Sequence, residues 1–405
     1  MKRLYLYDDS KARDFAPFSL TRPVSELRAG AELIRLRWER AARTKAYGFV
    51  SSPSLQHFEE FDAPPAVPSG ETTIPAGSVV ANSRFVISLR AQVDDISPAF
   101  ACNGQVCAVR LRSSVDIAGL IDGTQSLEDL LEANASPRQI EGRWLSEVWD
   151  LVGDLGAQLT EDIPVIGKEL SGAAIENATI IGKNAVYCET GASIEPFVVL
   201  DANDGPILIR RGASISSFSR IVGPCYIGQE THIVGDAIRA CSIGDVCKVR
   251  GEISGTVMLG HSNKGHTGFV GSSYIGRWVN LGAGTTTSNL KNTYGPVQLW
   301  TPQGLRDTHL QFLGSMIGDH VKTGIGTLLT TGCVVGAGAN IFGNGMSSKY
   351  VPPFAWGSAE PYDRFESSKF IEIAERMMAR RHVTLGYRER LLLAAACEDS
   401  GAATK

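Results

Sequence analysis

The densest run of reactive side chains is Asn263-Lys264-Gly265-His266-Thr267-Gly268-Phe269, followed by Asn280-Leu281-Gly282-Ala283-Gly284-Thr285 and then Asn289. A neutral imidazole near its ordinary pKa removes a proton from an attacking amine at physiological pH. Glycines beside His266 let a substrate approach the backbone, and Gly282-Ala283-Gly284 admits a thin, extended ligand whose developing oxyanion would meet backbone N–H groups. The competing reading is that His266 only caps a turn. The choice between the two rests on the element that carries the patch.

That element repeats every six residues. Ile317, Thr323, Leu329, Val335 and Ile341 share one register, and Gly318, Gly324 and Gly336 directly follow three of them. The register appears earlier at Ile175, Ile181 and Tyr187, at Ile221, Ile227 and Ile233, at Ile243 and Val249, and at Ile275 and Leu281. Four residues after these positions stand small or branched side chains, among them Thr179, Ala185, Thr231, Cys247, Val279, Thr285, Val321, Thr327, Cys333 and Ala339. A period of six is neither helical nor that of an ordinary strand. A chain that bends every six residues winds into a triangular parallel β-helix, three hexapeptides to a turn. The setting of His266 on such a solenoid favours the catalytic reading over the cap.

At 405 residues the chain exceeds one compact core, so two or three domains are expected. Net charge of -4 offers no general attraction to nucleic acid or to an anionic membrane. No apolar run approaches the ~18 residues of a membrane span, and the start Met1-Lys2-Arg3-Leu4-Tyr5-Leu6-Tyr7 reaches Asp8-Asp9 too soon for a secretory signal, which implies a cytoplasmic protein. The eight cysteines form no CxxC pair and read as structural free thiols. A zinc site built from His232, His261 and His266 would need three histidines to converge, and nothing in their spacing brings them together.

Residues 1–160 read as mixed α/β: Leu27, Ala31, Ile34, Trp38 and Ala41 recur at helical spacing, Ser126 is an N-cap for Leu127 to Leu131, and Val79-Val80, Phe85-Val86-Ile87 and Val106 to Leu111 read as strands. Cys102 and Cys107 flank a turn at Asn103-Gly104, and Ala63 to Gly70 is a loop. Residues 161–350 are the β-helix, broken between Thr285 and Leu313 by an excursion of the kind where solenoids place function. Residues 351–405 form a C-terminal helical arm, with Phe370, Ile373, Ala374, Met377 and Met378 on one face among Arg376, Arg380 and Arg381.

The hexapeptide solenoid resembles the acyl-CoA-dependent acyltransferases of the left-handed β-helix class. The run from Arg239 to Asn289 is similar to the acetyltransferase half of the bifunctional N-acetylglucosamine-1-phosphate uridyltransferase/glucosamine-1-phosphate acetyltransferase family, and the whole chain resembles a bacterial branch of it with a shortened first domain. The resemblance implies that His266 is the general base, that Asn280 and Asn289 contact the sugar phosphate, that Arg239 pairs with its phosphate, and that Ala283 and Ser315 line the acetyl-CoA channel. The residue types suit these roles, since a phosphate is matched by a guanidinium fork and sugar hydroxyls by amides. It further implies a homotrimer with the cleft between neighbouring solenoids and a place in UDP-N-acetylglucosamine synthesis for envelope precursors.

Three positions depart from the family. A lysine aligns with Ser254 and two tyrosines with Phe269 and Leu290, which points to a different acceptor unless Lys264 or Lys291 restores the charge. In the first domain Arg13, Pro17 and Pro23 fit the opening pattern of sugar-nucleotide pyrophosphorylases, but its glycines are gone and Val24 replaces a lysine. Asp8 and Asp9 would repel UTP unless Mg2+ lies between them, while Lys11, Arg13, Arg22 and Arg28 supply positive charge. Asn82-Ser83-Arg84 stands where the family places a metal-binding aspartate, and Asp94-Asp95 reads as a solvated loop. Two hypotheses follow: a divergent nucleotidyltransferase using arginines and Mg2+, or a nucleotide-sugar-binding scaffold without turnover.

Overall fold

The computed structural model describes residues 3–67, 72–132, 135–343 and 345–400. Two compact units emerge: Met1–Val148 with Leu385–Ala396, and Trp149–Thr384 with Cys397–Lys405.

In the first unit, β1 (Leu4–Tyr7) pairs in parallel with β2 (Ala46–Val50) on one side and with β3 (Val79–Asn82) on the other. With β4 (Ala99–Cys102), β5 (Gln105–Arg110) and β6 (Arg138–Gln139) they make one sheet in the order β6-β4-β5-β3-β1-β2. Asn103 and Gly104 both take positive φ in the tight turn joining β4 to β5, the conformation a two-residue hairpin demands. The expected long amphipathic helix is shorter than its spacing suggested. Leu27 and Ala31 belong to a small hairpin of Arg28–Ala29 against Glu32–Leu33, turned at Gly30 with φ +63, so the helix α1 runs only over Ile34–Ala42. The helix expected over Leu127 to Leu131 is a single turn at Glu128–Leu130 whose N-cap position is Leu127; Ser126 Oγ, one residue earlier, accepts from Asp129 N at 3.1 Å. The loop expected over Ala63–Gly70 runs beyond residue 67, outside the described residues.

The second unit is a left-handed parallel β-helix of three sheets, with six, nine and ten strands. Its interior is the predicted register: Ile221, Ile227, Ile233, Ile243, Val249, Ile275, Leu281, Ile317, Val335 and Ile341 are all buried in one cluster with Cys247, Val321 and Ala339, and Thr231 is buried too. Eighteen residues per coil holds where Met316 pairs with Val334, but the step shrinks to fifteen between Ile238 and Ile253 and widens to twenty between Ala178 and Val198. The first coil slips by one. Cys188, not Tyr187, stacks on Ile209 and Ile227, and Ile181 is exposed. Helix α2 (Leu155–Gly167) lies against the Tyr187 ring, where Gly167 leaves room for it, and covers this side of the nine-stranded sheet.

The excursion folds as a hairpin, Gln298–Thr301 against Gly304–Asp307, and lies back on the solenoid with Trp300 stacked on Tyr350 at 3.6 Å between ring centroids. Helix α3 (Ser367–Ala379) buries Phe370, Ile371, Ala374 and Met378; helix α4 (Tyr387–Asp399) follows. The eight cysteines are free and buried, and burial pushes the Cys247 and Cys333 thiols up to about 11, away from reactivity. Among the described residues no helix is long and apolar enough to cross a membrane.

Candidate functional site

His266 stands exposed at a solenoid corner, and among the described residues its imidazole has no hydrogen-bond partner. The backbone beneath it is fixed. Lys264 occupies the inward register position between Val249 and the next coil and is fully buried. Its ammonium donates to the carbonyl oxygens of His266 and, at 2.8 Å, of Thr267. Burial lowers its pKa to about 8, with Asp236 opposing the shift. Lys264 is therefore corrected from a substrate contact to an internal cap that holds the His266 corner. Side chains alternate between the two faces of each coil, and this one lands inside.

The next two corners along the axis are flanked by glycines, as Gly282-Ala283-Gly284 and Gly324-Ile325-Gly326. Gly284 N donates to Thr267 O at 3.0 Å and Gly326 N to Ala283 O at 2.8 Å, so His266, Ala283 and Ile325 follow one another at successive corners. A Cβ on Gly268, whose φ is +131, would lie 2.3 Å from Thr285 O, so that glycine is demanded by the neighbouring coil. Gly265 meets only the flexible Lys248 side chain, from 3.6 Å, and leaves the surface beside His266 open.

One solenoid face starts at this corner. Its strands include Asp236–Arg239, Glu252–Ser254 and Phe269–Gly271, with Arg239 paired to Ser254 and Ser254 to Gly271. Asn289 reaches the end of the face: its Nδ2 donates to Ser272 Oγ at 3.3 Å and lies beside Gly271 and the Phe269 ring. Arg239 is half exposed and only loosely paired, 3.7 Å from Asp204. His266 thus bounds one end of a face whose other end carries Arg239, Ser254 and Asn289. The strand between them is three residues long, about 10 Å. A cavity of about 330 Å³ adjoins it, lined by Phe269, Asn289, Leu290 and Met346.

Asn280 is not on that face. It lies in the ten-stranded sheet, pairing with Asn263 and Lys322, and accepts from Asn263 Nδ2 at 3.3 Å. Arg381 in turn donates to Asn263 Oδ1. Ser315 requires correction: it is fully buried, stacked in one interior column with Cys241, Thr256, Ser273 and Cys333, and cannot line a channel at the surface. Lys291 donates to Pro296 O at 2.7 Å inside the excursion. The contact between Asn263 and Arg381 was not legible in the sequence, because an arginine 118 residues away leaves no local signal.

In the first unit the charged side chains are satisfied by one another. Arg22 is buried and forks onto Glu60 at 2.8 and 3.2 Å, so it is not free for a nucleotide. Arg13 donates to the carbonyls of Asp8 and Leu120, both at 3.2 Å, and ties the Leu120–Gly123 turn to the end of β1. Asp9 accepts from Arg84 Nε and Nη2 at 2.8 and 2.6 Å, from Asn82 Nδ2 at 2.9 Å and from Ala12 N at 2.9 Å. Burial pushes the Asp9 carboxyl up, but Arg84 and the other donors outweigh it and hold it below the usual range. Asp8 is buried beneath, accepting from Ser51 Oγ at 2.6 Å and Val24 N at 3.2 Å, and burial raises its pKa. Asp94 is an anchor too, accepting from Ile96 N, Ser97 and Arg138. Mg2+ does not fit here: the Arg84 guanidinium occupies the oxygens a cation would need. Among the described residues no group of three potential metal ligands converges.

Residues 4–170 match the family described as sugar nucleotidyl transferase. The bifunctional protein GlmU of Methanococcus vannielii is 29% identical over 235 residues, covering 57% of this chain and 51% of that protein. GlmU of Synechococcus elongatus is 25% identical over 256 residues, 61% of this chain and 49% of the relative. The chain is similar to both GlmU proteins and spans about half the length of these curated relatives. Among solved structures, a mutant of AntD, an N-acyltransferase from Bacillus cereus in complex with dTDP-4-amino-4,6-dideoxyglucose and coenzyme A, is 15% identical with a TM-score of 0.22, covering 54% of this chain and 96% of that one. The polysialic acid O-acetyltransferase OatWY is 12% identical with a TM-score of 0.19, covering 48% and 89%. Superpositions this loose carry no functional argument.

Proposed function

We propose that the protein is an acetyl-CoA-dependent N-acetyltransferase of an amino-sugar phosphate, glucosamine-1-phosphate or a close analogue, joined to a sugar nucleotidyltransferase-like domain and serving UDP-N-acetylglucosamine synthesis. The observation that carries this is the exposed His266 imidazole on a backbone clamped by Lys264, with the small corner at Ala283 beside it. His266 takes a proton from the sugar amine as its nitrogen attacks the thioester carbonyl. The C–N bond forms, the C–S bond of acetyl-CoA breaks, and the departing thiolate recovers the proton from His266. Arg239 and Asn289 hold the acceptor across the face, and the corners at Gly282–Gly284 and Gly324–Gly326 accommodate the extended pantetheine.

Asn280 faces away from Arg239 and Asn289 within one chain, so a site that uses all three takes Asn280 from a second copy, as a homotrimer provides. For the first domain a specific observation favours the second reading, nucleotide-sugar binding without metal-dependent turnover: the Asp9 carboxylate is taken up by the Arg84 guanidinium.

The test is CoA release by wild type and His266→Ala with acetyl-CoA and a panel of amino-sugar 1-phosphates, alongside pyrophosphate release from UTP. Release by wild type alone supports the acetyltransferase. No release with any acceptor from a folded protein sinks it.

A further inference from the structure

The space over the carboxyl end of β1, the usual crevice of an open α/β sheet, is closed by the Asp9–Arg84 pair. One strand over, at the carboxyl end of β2, lies a cavity of about 710 Å³, within the usual range for small-molecule sites. It belongs wholly to the first unit, and part of its wall is the first turn of helix α4, from the far end of the chain.

The lining is mixed. Phe49, Val67, Ile117, Ile121 and Leu391 make up the apolar wall. Arg388, one turn before Leu391 on the same helix, lines the cavity too; it donates from Nη2 to Gln56 O at 2.9 Å, and its Nη1 has no hydrogen-bond partner among the described residues. A guanidinium whose outer N–H groups carry no protein acceptor offers them to a bound anion. The first N–H groups of an α-helix lack intrahelical acceptors and add positive potential where Tyr387 and Arg388 line the cavity. Asp116, whose Oδ1 accepts from Ala118 N at 2.9 Å, also lines the cavity and suits ribose hydroxyls, while Glu59 lies beside Gly386 at the helix start.

We propose that this cavity binds a nucleoside phosphate without a divalent cation, with the base on the apolar wall and the phosphate on Arg388, so that the C-terminal helix completes the ligand site of the first unit. The assignment rests on the nucleotidyltransferase-like reading of that unit. It departs from that reading in where the nucleotide sits and in needing no metal.

The experiment is calorimetric titration of the full chain with UDP, ADP, GDP, uridine and inorganic phosphate, in Mg2+ and again in EDTA. A nucleoside diphosphate should bind equally well in both. Arg388→Ala should weaken it about tenfold or more, the scale of one charge-assisted hydrogen bond, with Arg388→Lys between the two and uridine indifferent to the change. Ile121→Trp, on the apolar wall, should abolish binding while the thermal melt stays near wild type. Binding that requires Mg2+, phosphate binding as tightly as the nucleotides, an Arg388→Ala protein that binds like wild type, or no binding to folded wild type would each overturn the proposal. CoA release by Arg388→Ala at the wild-type rate shows that the acetyltransferase reading stands or falls separately.

Discussion

The His266 corner of the solenoid and the Asp9 end of the first-unit sheet are both rich in charged and polar side chains, yet they differ in what those groups face. At the corner, the cation Lys264 is turned inward onto two carbonyls and the imidazole is left exposed. At the sheet end, Asp9 and Arg84 are spent on each other, and Arg22 on Glu60. The difference teaches that reactive residue types mark a site only when the surrounding fold leaves them unsatisfied.

The strongest way to break the contrast is His266→Ala. CoA release should fall about 100-fold or more, in line with general-base contributions, with no change in thermal midpoint, because the exposed ring supports nothing. An unchanged rate would return His266 to the role of a turn residue.

Second is the removal of one partner from the opposite region. Asp9→Asn or Arg84→Ala leaves its shielded counterpart unpaired and should cost about 3–5 kcal/mol in urea unfolding. The Asp9 carboxyl is held below its unfolded value, so its stabilisation is present above the ordinary carboxylate range and is lost as pH falls through the lower folded value. The gap between wild type and Asp9→Asn should therefore close in acid. Mg2+ should raise the melting temperature of Arg84→Ala and not of wild type; equal response in both would show that the guanidinium does not stand in for a cation.

Lys264→Met sharpens the comparison from inside. Loss of the clamp on the His266 carbonyl should slow CoA release about tenfold, as expected for one charge-assisted hydrogen bond. Because the folded pKa of Lys264 is lowered to about 8 from 10.5, the folded state releases a proton between those values that the unfolded chain retains. Wild-type stability relative to Lys264→Met should rise over that window, read from urea midpoints at several pH values. A flat difference would mean that Lys264 is solvated.

The smallest expected effect is at Arg239, half exposed and loosely paired. Arg239→Ala should raise KM for the sugar phosphate about tenfold and leave kcat within about twofold, the pattern of lost ground-state binding. A fall in kcat alone would place Arg239 nearer the reacting atoms than the face allows.

Much of the solenoid was legible because six-residue spacing is a local property: Ile221, Ile227 and Ile233 are buried where the register put them. The first coil was misread at Tyr187 because its ring packs under a helix while Cys188 takes the inward position stacked on Ile209. The site was legible in part. His266 and Ala283 are brought to neighbouring corners, whereas Lys264 and Ser315 proved internal and Asn280 lies on another face. A motif names residue types, but the side of the wall each one faces depends on the coil's register.

The sequence by itself determined the repeating core, the eight unpaired thiols, the hairpin turn at Asn103-Gly104 and the glycine-rich corner with its histidine, because each follows from spacing or from backbone conformations that few residues adopt. Tertiary structure alone decided which charges are spent and which remain available. Arg84 reaches Asp9 across 75 residues, and Arg388 meets Gln56 across 332. Pairings over such separations leave no periodic trace, since they depend on where strands and helices bring their ends together.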